Sequence, residues 1–216
     1  IFLIFAAILD TLDGRIARLI KGTSEFGKEL DSLTDFVSFG IAPAFILYFW
    51  ELKNYGKIGW AITLIFSVCC VLRLARFNLT KISNEAEWKN NYFEGIPSPA
   101  GAILILLPLI YELSEIQLDI GIKKITPYLV VTVAVFLISN IPTFSLKKIK
   151  ISSKLSIFLL FGIAVIFVSL IFFTFKALLL LGILYITTIP VSYFLYKKTI
   201  KKLSKIPKED DHEDIL

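Results

Sequence analysis

The chain contains few charged residues, and this scarcity separates it from most soluble proteins. Only 19% of its 216 residues are charged, whereas 56% are hydrophobic and the mean hydropathy is +0.76. Soluble domains have about 25% charged and roughly 45–50% apolar residues. The net charge of +5 does not indicate nucleic-acid binding, because the basic residues lie between apolar blocks. The composition therefore predicts an integral membrane protein.

Cysteine and histidine, which build disulfides and soft metal sites, are also scarce. Cys69 and Cys70 are adjacent in an apolar run, and neighbouring helical residues point about 100° apart. Neither a disulfide framework nor a CxxC redox site is therefore available. The single histidine, His212, lies in a charged tail, where we expect it to be solvated. Any metal site must use oxygen ligands.

Long apolar runs predict an all-α fold, a polytopic membrane helical bundle. About 20 apolar residues cross a bilayer as a helix, and the runs lack the period of two that strands show. Residues 1–9 have no signal-peptide features, and we expect them to belong to a helix whose beginning is missing. We also expect one helix to precede it, so that the full-length protein has eight spans. The seven spans predicted in this chain are 1–20, 33–50, 58–79, 99–113, 125–144, 155–175 and 177–196.

The loops between these spans differ in basic charge. Eighteen lysines and arginines fall on one side of the predicted topology and five on the other. Because basic residues collect in cytoplasmic loops, we expect the aspartate-rich region between the first two spans and the C-terminal tail to face the cytoplasm, in the cell (inner) membrane. A polar loop then leads to Pro97 and Pro99, which predict an irregular start of the next helix.

Four carboxylates lie within or beside the first two apolar runs, at Asp10, Asp13, Asp31 and Asp35. An intramembrane carboxylate costs about 2.5–3.5 kcal/mol, so a cluster of four needs compensating cations, water or protons. The i,i+3 and i,i+4 spacings place each pair on one helix face. Such oxygen clusters suit Mg²⁺ or Mn²⁺, and two such ions could clamp a diphosphate.

Small and basic residues accompany the carboxylates. Gly14 and Ala17 follow Asp10 by four and seven residues, on the same helix face, and leave room for a flat ligand. Arg18 can bind phosphate oxygens in a bidentate manner. Helix packing alone does not account for the whole set, because it leaves the cost of the carboxylates uncompensated.

This constellation resembles the signature of the CDP-alcohol phosphotransferase family at all its specified positions. The resemblance implies a membrane enzyme that moves a phosphatidyl or related group from a CDP-linked donor to an alcohol and releases CMP. It implies that the four aspartates bind two metals, that Asp35 is the general base, and that the remaining signature residues together with Asp10 bind CDP-diacylglycerol. The matching pattern is Asp10-x2-Asp13-Gly14-x2-Ala17-Arg18-x8-Gly27-x3-Asp31-x3-Asp35.

The flanking segments 31–44, 73–78 and 95–100 resemble the phosphatidylserine synthase branch of that family. This branch implies CDP-diacylglycerol and L-serine as substrates and phosphatidylserine as product. The family is usually dimeric, so we expect a homodimer in the lipid bilayer. On this basis the chain divides into a catalytic core at 1–145, a two-helix membrane extension at 146–200 and a charged cytoplasmic tail at 201–216.

Arg73 and Arg76 are the strongest candidates for binding the acceptor or a phosphate. Their i,i+3 spacing can point both guanidinium groups into one cleft, although arginines at helix ends also serve as snorkelling anchors. Weaker candidates for polar contacts to the acceptor are Ser38, Asn78 and Ser98, for which helix packing or capping is the more common role.

Two other functions stay open from the sequence. A family member that uses glycerol 3-phosphate or an inositol phosphate would also need cationic residues such as Arg73 and Arg76. A divalent cation transporter would likewise use intramembrane carboxylates, but it should spread them along a path, whereas these cluster near one membrane face.

Overall fold

A computed structural model of the chain describes residues 24–80, 92–116, 121–144 and 153–203. These residues form a helical bundle with one short two-stranded ribbon. The elements are α1 Glu25–Asp35, the π segment Phe36–Ile41, α2 Ala42–Trp50, the 3₁₀ turn Leu52–Tyr55, α3 Gly56–Thr80, β1 Tyr92–Glu94, α4 Ser98–Leu113, α5 Ile122–Ile138, β2 Pro142–Phe144, α6 Ser153–Phe172 and α7 Thr174–Leu203. Helix α1 runs into α2 through the π-helical segment, and the 3₁₀ turn connects α2 to α3.

Three helical stretches in the described part are long and apolar enough to cross a membrane, namely Glu29–Trp50, Leu52–Leu79 and Thr174–Lys197. Two shorter apolar helices accompany them, at Ser98–Leu113 and Leu160–Phe172. The predicted all-α membrane bundle is confirmed. Each predicted span from 33–50 onward corresponds to a helix, whereas the span 1–20 lies outside the described residues.

One predicted span is too long. The run 125–144 was expected to be a single helix, but α5 ends at Ile138 and Ser139 is extended, with φ −61° and ψ 154°. The chain then continues into β2. Pro142 lacks a backbone N–H and biases Ile141 away from the helical region, so the helix cannot continue to the end of the predicted span.

Local sequence explains how two of the helices begin. The Ser24 hydroxyl accepts a hydrogen bond from the Gly27 N–H at 3.0 Å and caps α1. Pro97 occupies the N-cap position of α4 in an extended conformation, and Pro99 lies in the first turn, where a missing N–H costs no helical bond. The irregular helix start predicted from the two prolines is confirmed.

The core lies between α2, α3, α4 and α5, and includes the buried Leu47, Phe66, Ile105 and Leu137. Helix α3 packs most extensively on α5, while α7 packs on α4 and on β2, and α6 packs on α7. Much of the surface of α6 and α7 is apolar and exposed, as expected for helices that face lipid.

The ribbon links the start of α4 to the end of α5. Strands β1 and β2 are antiparallel, with Glu94 opposite Pro142. The Gly95 N–H donates to the Ile141 carbonyl at 2.9 Å, and the buried Thr143 hydroxyl donates to the Gly95 carbonyl at 2.7 Å. Gly95 has φ +73°, and a Cβ here would approach three backbone carbonyls at the end of α5, those of Phe136, Leu137 and Ser139. A glycine is therefore required at this junction.

Candidate active site

The N-terminal half of the predicted signature lies outside the described residues. The residues concerned are Asp10, Asp13, Gly14, Ala17 and Arg18. The described part of the chain contains no group of three or more histidine, cysteine, aspartate or glutamate side chains that could hold a metal ion. The predicted four-aspartate cluster needs Asp10 and Asp13, so it stays a prediction.

The second half of the signature lies on α1. Asp31 and Asp35 are one helical turn apart, as predicted from their spacing. The Asp31 side chain is exposed, whereas Asp35 is half-buried and is the last residue of α1. The two carboxylates therefore occupy the boundary between solvent and the packed helices.

A π-helical segment follows directly after Asp35. Such segments are rare and are frequent at functional sites. Ser38 lies in this segment and is half-buried, next to the buried Phe39. The segment passes close to α3, because a Cβ on Gly40 would lie 3.2 Å from the Cys70 Sγ. The wide turn thus brings the end of α1 against α3.

Gly27 lies in the first turn of α1, one turn before Asp31. It is exposed, and the only crowding that a Cβ would meet within the described residues is the Ser24 hydroxyl, at 3.2 Å. The absent side chain therefore leaves the helix start open to a ligand that approaches from solvent.

Asn78 connects α3 to α1 between the two aspartates. Its side-chain amide donates to the Ser32 hydroxyl at 2.9 Å, across 46 residues of sequence. Both groups are partly buried. This bond fixes the end of α3 against α1, at a position one helical turn before Asp35.

Arg73 is buried, with only 8% of its surface exposed. Its Nη1 donates to the Ser98 hydroxyl at 3.1 Å, and its guanidinium lies 5.3 Å from the centre of the Phe77 ring. The guanidinium also interacts electrostatically with the Asp35 carboxylate and with Arg76. Arg73 therefore joins α3 to the start of α4 and places a positive charge close to Asp35.

Arg76 is bound to the segment that follows α5. Its Nη1 donates to the Asn140 Oδ1 at 2.6 Å, and its Nη2 donates to the Ser139 carbonyl at 3.2 Å. The side chain is half-buried. The irregular end of α5, which was expected to be part of a continuous helix, thus supplies the two hydrogen-bond acceptors that Arg76 has among the described residues.

Ser32, Ser139 and Asn140 were missed as site residues. The polar pair Ser139-Asn140 interrupts an apolar run two residues before Pro142, and this signal could have ended the predicted span earlier and drawn attention to a polar junction. Ser32 carries no comparable signal, because a serine in an amphipathic helix is ordinary. The polar site described here is formed by residues of α1, α3, the start of α4 and the end of α5.

The sequence pattern of CDP-alcohol phosphatidyltransferases matches residues 1–138. The chain is also similar to proteins named CDP-diacylglycerol–serine O-phosphatidyltransferase. One from Helicobacter pylori (strain ATCC 700392 / 26695) is 39% identical over 161 residues, which cover 74% of this chain and 66% of that protein. One from Mycobacterium leprae is 43% identical over 141 residues, which cover 63% and 46%. One from Saccharomyces cerevisiae is 41% identical over 108 residues, which cover 49% and 38%.

The chain thus spans less than two thirds of the length of these relatives. The match to the family pattern nevertheless includes the whole signature and the five helices α1 to α5. The chain belongs to the CDP-alcohol phosphatidyltransferase family.

Proposed function

We propose that the protein transfers the phosphatidyl group of CDP-diacylglycerol to the hydroxyl of L-serine, giving phosphatidylserine and CMP. The observation that carries this proposal is the complete eight-residue signature from Asp10 to Asp35, in a chain whose relatives are named for this reaction. The apolar helices make it a membrane protein, and a lipid donor is the substrate that such a location suits.

The donor is bound by the signature residues in this proposal. Asp10, Gly14, Ala17, Arg18 and Gly27 form the site for the cytidine diphosphate group. The open surface at Gly27 supports this assignment, because no side chain at that position obstructs the start of α1. Arg18 contributes a guanidinium that matches phosphate oxygens in charge and shape.

The residues fit a pair of divalent cations such as Mg²⁺ or Mn²⁺. Asp31 and Asp35 present carboxylate oxygens one turn apart at the edge of the packed helices, and hard cations prefer such ligands. Asp10, Asp13, Asp31 and Asp35 would hold the ions. When bound, they would supply positive charge to the diphosphate and its leaving group.

Asp35 is the proposed general base. The serine hydroxyl has a pKa far above neutrality, so proton removal during attack requires a positioned base. As the hydroxyl oxygen forms its bond to the phosphorus of the phosphatidyl group, Asp35 takes the proton and the bond from that phosphorus to the CMP oxygen breaks. Arg18 neutralises charge on the departing CMP phosphate, while Arg73, Arg76, Ser38 and Asn78 surround the acceptor.

The active site faces the cytoplasm in this proposal, and the enzyme works as a homodimer in the cell (inner) membrane. The excess of basic residues in the loops on the side of the aspartates supports the orientation. The donor can then keep its acyl chains in lipid while its nucleotide stays in water.

The test is an acceptor comparison with the full-length protein in membranes that contain CDP-diacylglycerol and Mn²⁺. Release of CMP with labelled L-serine, and formation of labelled phosphatidylserine, is the expected result. CMP release only with glycerol 3-phosphate or an inositol phosphate would reject serine as the acceptor. Uptake of Mg²⁺ or Mn²⁺ into proteoliposomes without any CMP release would instead support a cation transporter.

A further inference from the structure

Helix α7 lies outside residues 1–138, which match the family pattern, yet one of its faces packs on the rest of the bundle. It contacts α4 and the strand β2, and β2 belongs to the ribbon that borders the site. The residues of the packed face follow one another at three or four positions, as the helical period requires. Two of them are buried and three pack against the core, namely Gly182 and Ser192, and Leu179, Tyr185 and Ile189.

The close packing of α7 on α4 depends on Gly182. A Cβ at this position would overlap the side chain of Leu107, which is itself buried in the core. A larger residue would therefore hold α7 away from α4 unless Leu107 moved. Tyr185 follows three positions later on the same face, so this contact also sets where the Tyr185 side chain lies.

Tyr185 places a hydroxyl group at the ribbon. The side chain is half-buried, but its Oη is buried and makes no hydrogen bond of standard geometry within the described part of the chain. The hydroxyl faces the Thr143 side chain on β2 and interacts electrostatically with the Arg73 guanidinium. A buried hydroxyl without a partner costs free energy, and a phenylalanine would fill the same space without that cost. The oxygen atom therefore indicates a role beyond packing.

The donors and acceptors around this hydroxyl are complementary. The Thr143 hydroxyl already donates its proton to the Gly95 carbonyl, at 2.7 Å, so its oxygen is left as an acceptor for the Tyr185 proton. A guanidinium carries donors only, so the Tyr185 oxygen can accept from Arg73. One hydroxyl can thus serve both neighbours at once.

We propose that Tyr185 is a positioning residue for phosphatidyl transfer, whose hydroxyl donates to Thr143 and accepts from Arg73 in the transition state. These two bonds join α7 to the ribbon and to α3, next to the end of α1 that carries Asp35. Tyr185 does not touch either substrate. The inference rests on the proposed transfer from CDP-diacylglycerol, but not on serine as the acceptor. It makes a helix outside the family pattern a determinant of turnover.

The experiment measures CMP release by Tyr185→Phe in the full-length protein, reconstituted with CDP-diacylglycerol, L-serine and Mn²⁺. Phenylalanine keeps the ring and removes only the hydroxyl. We expect kcat to fall about fivefold to tenfold, the effect of about one hydrogen bond made in the transition state. The KM for both substrates should stay within about twofold. Tm should not fall, because the hydroxyl has no partner to lose in the resting protein.

The matched control is Tyr193→Phe, the same substitution at an exposed position of α7. It should retain the wild-type kcat, because its hydroxyl lies away from the ribbon face. An equal loss of kcat in Tyr193→Phe would overturn the inference.

Thr143 provides a test of the pairing. Thr143→Val removes the hydroxyl and keeps the shape of the side chain, so adding Tyr185→Phe to it should lower kcat less than about threefold, since one of the two bonds is already lost. In Thr143→Ser, which keeps the hydroxyl, Tyr185→Phe should have its full effect. A full effect in the Thr143→Val background would contradict the pairing.

Failure of this inference is distinguishable from failure of the proposed function. A wild-type kcat in Tyr185→Phe, or a fall in Tm that accounts for the lost activity, would overturn the positioning role while wild-type phosphatidylserine synthesis supports the function. If the wild type releases CMP only with another acceptor, serine is rejected, and the same comparison made with that acceptor still tests Tyr185. A wild type that releases no CMP with any acceptor would reject both.

Discussion

The two ends of the helical bundle use polar residues in opposite ways. At the end that carries Asp35, three hydrogen bonds join residues that are far apart in sequence. The pairs are Arg73 with Ser98, 25 residues apart, Arg76 with Asn140, 64 residues apart, and Asn78 with Ser32, 46 residues apart. At the other end, Lys123 and Glu112 form an exposed ion pair at 2.9 Å between the neighbouring helices α4 and α5. Lys123 also lies 5.7 Å from the centre of the Trp50 ring.

This contrast indicates what each set of polar contacts does. Exposed ion pairs stabilise proteins little, because solvent screens them and their long side chains lose entropy. Partly buried bonds between distant helices fix relative positions, and the loss of one partner leaves a polar group without its bond in a place that water reaches poorly. The end with Asp35 is therefore built for precise placement, as a catalytic site requires.

Removal of divalent cations should have the largest effect and should act only at the Asp35 end. We expect EDTA to lower CMP release from CDP-diacylglycerol by at least about 1,000-fold, because the four carboxylates of the proposed metal site would repel one another and the diphosphate without compensating charge. Added Mn²⁺ or Mg²⁺ should restore activity. Full activity in EDTA after dialysis would remove the metals from the mechanism.

A comparison of two buried serines at opposite ends of α4 tests the packing side of the contrast. Ser98→Ala removes the hydrogen-bond acceptor of the buried Arg73, and we expect it to cost about 1–3 kcal/mol of stability. Ser114→Ala should cost less than about 1 kcal/mol of stability. The Tyr111 carbonyl still accepts a hydrogen bond from the backbone N–H of residue 114, at 3.1 Å, after the hydroxyl has been removed. Thermal unfolding in detergent measures both, and equal losses would contradict the comparison.

The bond between Asn78 and Ser32 should give a smaller and purely pairwise effect. A double-mutant cycle with Asn78→Ala and Ser32→Ala is expected to show a coupling energy of about 0.5–1.5 kcal/mol, the usual net value of one hydrogen bond. Denaturant unfolding in micelles measures this coupling, with Asn54→Ala as the exposed control. Strict additivity of the two substitutions would show that the contact does not hold α1 against α3.

The ion pair at the other end should give the smallest effect. The hydrogen bond from Lys123 to Glu112 raises the pKa of Lys123 above its usual 10.5, so the stability from this pair is present below pH 10.5 and is lost as pH rises through the raised pKa. Because both side chains are exposed, Glu112→Gln should lower Tm only slightly at pH 7, and the difference should vanish at high pH or in 1 M salt. Phosphatidylserine synthesis should not change, and a loss of turnover would contradict the separation of the two ends.

The sequence predicted those parts of the fold and site that depend on local patterns. The helices follow from apolar runs, the start of α4 follows from Pro97 and Pro99, and the pairing of Asp31 with Asp35 follows from helical spacing. What it missed depends on contacts between distant segments. Neither the bond from Arg76 to Asn140 nor the bond from Asn78 to Ser32 leaves a periodic signal, and the π segment after Asp35 has no recognisable composition.

The most direct test of the central claim is Asp35→Asn in the full-length protein, assayed for CMP release and phosphatidylserine formation with CDP-diacylglycerol, L-serine and Mn²⁺. Because Asp35 is both the proposed base and a proposed metal ligand, its substitution should cause a loss of about 100-fold to 10,000-fold, while part of the donor binding remains. Asp119→Asn, an aspartate outside the signature, should retain wild-type turnover. Near-normal turnover in Asp35→Asn would contradict the mechanism.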